Sequence, residues 1–63
     1  MKVNSKKIRF EIERLGWTQT ELAGRSDMTK QALSIILTRE TAQLETLNKI
    51  GKALNLDPRD LLI

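Results

Sequence analysis

Three of the helix starts expected in this chain share one pattern, a polar capping residue with an apolar side chain one position before it and another four positions after it. Trp17-Thr18 with Leu22, Met28-Thr29 with Leu33, and Leu56-Asp57 with Leu61 all set a capping oxygen inside a hydrophobic staple. Thr18 and Glu21 also have the S/T-x-x-E spacing of a capping box, and Pro58 and Asp60 suit N1 and N3 after Asp57. The first two starts are so close that the helix between them must end near Arg25-Ser26, which leaves Ser26-Asp27-Met28 as the whole turn. A turn of that length is the one helix-turn-helix units use.

The rest of the chain fits around this unit. Ile8, Ile12 and Leu15 recur at helical spacing and predict a first helix over Lys6 to Leu15, stopped by Gly16. The third helix is expected from Lys30 to about Leu37, with Arg39–Ala42 as a loop after it. Leu44, Leu47, Ile50 and Leu54 then form the stripe of a fourth helix over Gln43 to Leu54, and the Asp57 start predicts a short fifth. No run alternates in the manner of a strand. The expected architecture is all-α, a compact five-helix bundle forming one domain over residues 1–63.

Missing residue types narrow the chemistry. The 63 residues include no cysteine and no histidine, so disulfides, thiolate metal sites and Ser–His or Cys–His nucleophiles are excluded. No enzyme activity, metal, cofactor or small-molecule substrate is expected. No segment is apolar for long enough to cross a membrane, and no apolar stretch follows the basic N-terminus as in a signal peptide, so a cytoplasmic protein is expected. Net charge is +3, and it is uneven. Residues 1–39 carry eight Lys/Arg and four Asp/Glu, whereas residues 40–63 carry three and four. Such a balance suits a polyanionic partner on one side of the molecule, although chance in a short chain gives the same picture.

The stretch Leu15-Gly16-Trp17-Thr18-Gln19-Thr20-Glu21-Leu22-Ala23 resembles the second helix of phage Cro/repressor-type domains, the xenobiotic-response-element family. Leu44 to Leu56 resembles its fourth helix, and Asp57-Pro58-Arg59-Asp60-Leu61-Leu62 its fifth. The resemblance implies a lambda-repressor-like fold with the helix-turn-helix at helices 2 and 3. It also implies a sequence-specific, double-stranded DNA-binding transcriptional regulator, Cro-like or repressor-like, with helix 3 in the major groove. Lys30, Gln31 and Ser34 then become base-contacting residues, since lysine suits guanine O6/N7 and glutamine suits adenine N6/N7. Gln19 and Thr29 become phosphate contacts at helix N-termini, where free N–H groups and the helix dipole favour anions. Thr38, Arg39 and Thr41 are expected on phosphate near the loop, and Lys6, Lys7 and Arg25 would add to the basic field. Without the resemblance, Lys30, Gln31 and Ser34 read better as a solvated helix face, and Gln19 only begins its helix.

The chain departs from the family pattern at Ile35-Ile36-Leu37-Thr38-Arg39, where Arg-Ile-Glu-Asn-Gly is usual. The family's buried Glu–Arg ion pair falls on Leu37 and Ile12, so those two are expected to pack as an apolar pair. Ile35 stands where a polar DNA-contacting side chain is common. It suits a thymine methyl, a protein interface or incidental exposure. Loss of Asn-Gly also removes a residue suited to positive φ.

Family members usually bind as homodimers on pseudo-palindromes, and Leu62 and Ile63 are the candidates for a two-fold contact. The competing function is a protein-interaction or antitoxin-like module on the same fold, with Ile35 and the C-terminal leucines as its surface.

Overall fold

The computed structural model describes all 63 residues, Met1–Ile63. Its helices begin where polar side chains cap them. Asn4 accepts from the Lys7 amide at 3.1 Å and starts α1, Ser5–Arg14. Thr18 Oγ1 accepts from the Glu21 amide at 3.2 Å to start α2, Gln19–Arg25. Thr29 Oγ1 accepts from the Ala32 amide at 3.0 Å to start α3, Lys30–Arg39. The capping box is half made, because the Glu21 carboxylate turns to Arg25 instead of back to Thr18. Only α4, Leu44–Leu54, starts without a side-chain cap, at Gln43.

The helix ends share a second device. All four are followed by a left-handed residue, at Gly16, Asp27, Glu40 and Asn55, with φ of 72°, 56°, 57° and 59°. At Gly16, Asp27 and Asn55 the following amide donates back five residues (Trp17 to the Ile12 carbonyl, Met28 to Ala23, Leu56 to Gly51), closing a Schellman motif. Glu40 makes the simpler closure, its amide donating to the Ile36 carbonyl at 2.8 Å. Glu40 thus takes the positive φ for which the sequence offers neither Asn nor Gly, and α3 runs on through Thr38 and Arg39.

The expected fifth helix is not an α-helix. Pro58–Leu61 is a 3-10 turn, so the fold has four helices and one such turn. Asp57 caps the Arg59 amide as its spacing predicts, yet Leu62 already has extended geometry, with ψ 152°. Four residues allow i→i+3 bonds and leave no room for an i→i+4 ladder.

Leu62 is extended because it pairs with the other end of the chain. Val3 bridges Leu62 and Lys2 bridges Thr41, both antiparallel. Four backbone bonds hold this clasp: Val3 amide to Glu40 carbonyl (2.8 Å), Asn4 to Leu61 (2.8 Å), Ile63 to Lys2 (3.2 Å) and Ala42 to Met1 (3.3 Å). Ser5 adds a hydroxyl bond to Glu40 Oε2 at 3.1 Å.

α2 packs on α3 and α4, and α1 packs on α3 and the 3-10 turn. The core contains Ile8, Ile12, Leu22, Leu33, Leu37, Leu47, Ile50 and Leu61, with Val3 fully buried beside them. Ile12 and Leu37 are both in this cluster, as an apolar replacement for an ion pair requires. Two members of the predicted stripes leave it. Leu15 is 36% exposed and Leu44 is 53% exposed, each at a helix end that projects past the core. Glu11 takes up core-side surface on α1 instead. Its stem is buried while its carboxylate accepts from Arg14 at 2.8 Å, with Lys7 at 3.9 Å. The Arg14 hydrogen bond holds the Glu11 carboxyl below its usual range, against the burial that raises it.

Gly51 is the close point of the tail. A Cβ there would lie 2.8 Å from the Leu56 carbonyl oxygen, so α4 admits the following chain only because it has no side chain at this position.

Candidate nucleic-acid interface

α3 buries Leu33, Ile36 and Leu37 and exposes Lys30, Gln31, Ser34, Ile35, Thr38 and Arg39. Gln31, Ile35 and Thr38 follow one another at i, i+4 and i+7, so they run down the side opposite the core. Lys30 and Ser34 flank that line on one side and Arg39 on the other. Thr38, one residue past the expected end of the helix, lies within α3 and shares a face with Gln31.

The start of α3 is held firmly. Thr29 spends one lone pair on the Ala32 amide and keeps its hydroxyl proton for an outside acceptor, and its side chain is exposed. Asp27, in the left-handed region, closes α2 and turns the chain so that α3 begins three residues later. Gln19, at the first position of α2, is half-buried with the exposed Thr20 next to it.

Charge on this surface is unpaired. Lys30 and Arg39 enter no ion pair, while Arg14 is tied to Glu11, Arg25 to Glu21 and Arg59 to Asp57. Arg25 also stacks 4.3 Å from the Trp17 ring centroid. Its charge is committed within α2 and adds little to the field expected of it. Lys6 is exposed without an ion pair, and Lys7 faces Glu11 at the limit of pairing distance.

Two capped helices joined by Ser26-Asp27-Met28, the second with an outward polar face, form a helix-turn-helix. The sequence matches the family model of the Cro/C1-type HTH DNA-binding domain over residues 7–63. The chain belongs to that family. No characterised protein and no solved structure matches it. The Cro/C1-type match starts inside α1, so Met1–Lys6, which include the bridging residues Lys2 and Val3 of the clasp, lie outside it.

Around this Cro/C1-type domain, the loop candidates divide. Arg39 is the last residue of α3 rather than a loop residue, and Thr41 is exposed and bridged to Lys2. That bridge brings Lys2, a cation which sequence reasoning passed over, beside the α3–α4 connection; no local pattern announces it. Leu62 packs partly against the domain's own core, whereas Ile63 is 72% exposed. A depression between the α2–α3 turn and α4, lined by Arg25, Ser26, Asp27, Lys49, Lys52 and Ala53, gathers two further lysines, neither in an ion pair. No helix is long and apolar enough to cross a membrane.

Proposed function

We propose that this domain is a transcriptional regulator, Cro-like or repressor-like, that acts in the cytoplasm by setting α3 into the major groove of an operator half-site. One observation carries the reading: Lys30 and Gln31 stand exposed and unpaired at the capped N-terminus of α3. Lys30, Gln31, Ser34 and Ile35 face the bases. Gln19, Thr29, Thr38, Arg39 and Thr41 hold phosphates along the two sides of the groove. The domain binds as a homodimer on half-sites about one helical turn apart. Of Leu62 and Ile63, Ile63 has the freer surface for the two-fold contact.

Selecting bound duplexes from a random pool tests this, since it returns the site and its symmetry together. Binding should fall with salt at a log–log slope of about −0.9 per phosphate neutralised. Lys30→Ala and Gln31→Ala should each cost about 1–3 kcal/mol at one base position and relax specificity there.

A second reading, a protein-interaction or antitoxin-like module, draws on exposed apolar side chains away from α3, with Phe10 at 59% and Ile63 at 72%. A chain that ignores duplex DNA at low salt, yet stays folded, would favour it.

A further inference from the structure

Ile35 is the one large apolar side chain that α3 exposes, at 55%, and it contributes nothing to the core. It stands in the middle of the outward line, one turn after Gln31 and one turn before Thr38, with Ser34 beside it. We infer that Ile35 reads the 5-methyl group of a thymine, so that one base pair of the half-site is specified by apolar contact alone. The inference rests on the DNA-binding reading above and adds to it the identity of one base.

The chemistry leaves few alternatives. Every base edge in the major groove offers hydrogen-bond donors or acceptors, and the thymine methyl is the only apolar group there. Isoleucine can satisfy none of the polar groups. Against a G·C pair it would strip water from O6, N7 or N4 and return nothing, which penalises that pair. Against thymine it gains buried apolar area. A β-branched side chain in a helix is nearly fixed at χ1, so Ile35 gives up little freedom on contact. Position adds a constraint. Four residues of helix advance about 6 Å, so the thymine should lie within about two base pairs of the base that Gln31 reads.

The test uses the full chain and the duplex selected from the random pool. Each thymine is replaced in turn by deoxyuracil, which removes only the methyl, and affinity is measured for wild type, Ile35→Ala and Ile35→Val. One thymine per half-site should weaken wild-type binding about fourfold when replaced, the worth of one buried methyl. Ile35→Ala should bind the thymine and uracil duplexes equally, and Ile35→Val should keep part of the difference. Thermal melts of both variants should match wild type, because the side chain is outside the core. Equal wild-type binding to every uracil duplex overturns the inference while the DNA-binding reading stands, and so does a loss that persists in Ile35→Ala. Failure to bind any duplex overturns both.

Discussion

The helix-turn-helix pair and the clasp are both parts of one core, yet they are specified in opposite ways. From Thr18 to Glu40, each structural decision is made by residues within six positions of one another: a cap, a staple, a left-handed closure. The clasp joins residues from three distant stretches, near positions 1–5, 40–42 and 61–63. Its apolar anchor, Val3, is a single valine in Met1-Lys2-Val3-Asn4-Ser5-Lys6-Lys7. Local information places the outward face of α3, and non-local pairing ties the two ends of the chain to the α3–α4 connection.

The sharpest way to break the first region is Leu33→Ala, which empties a fully buried position under the exposed face of α3. It should cost about 2–5 kcal/mol in urea unfolding, a large part of what a domain this size has. Val3→Ala tests the second region and should cost about 2 kcal/mol, from two lost methyl groups and a small cavity. If its midpoint stays within error of wild type, the clasp is decoration and the comparison fails. Asp27→Gly sharpens the first region in the other direction. It relieves a left-handed aspartate, offset by the greater freedom of glycine in the unfolded chain, and should stabilise by about 0.5 kcal/mol.

The smallest effect is electrostatic and lies beside the clasp. Asp57 accepts from the Arg59 guanidinium and the Arg59 amide, which lowers its carboxyl to about 2. A lowered folded-state value means that its contribution is complete above the ordinary value of 3.8 and is lost as pH falls toward about 2. Melts of wild type and Asp57→Asn should therefore differ at neutral pH and converge in that acid window. A constant difference down to pH 2 would show that the carboxylate charge is not what matters.

Much of the architecture was legible because helix starts and stops are written in adjacent residues. Thr18, Thr29 and Asp57 cap as their spacing says, and Gly16 closes α1. Most of the readings that failed needed distant information. Asp57 and Pro58 announce a helix, but nothing nearby reveals that Leu62 is claimed by Val3 and must extend. Periodicity counts Leu15 and Leu44 as core because it cannot see where the neighbouring helices end. Glu11 escaped notice because a charged residue on an apolar face looks like a break in the pattern, although Arg14 three positions on gives the signal. The outward face of α3, Ile35 included, was legible from helix period, while the inclusion of Thr38 and Arg39 in the helix depended on Glu40 accepting a left-handed backbone.

The clasp also sets a timetable. Val3 leaves the ribosome well before Leu62, which is made nearly a whole domain length later. Until then the four helices can form and collide, but the underside of the core has no lid. A stalled or nicked chain that lacks its final turn should therefore be a ready protease substrate, so the cell would be left with few half-made copies carrying an intact α3.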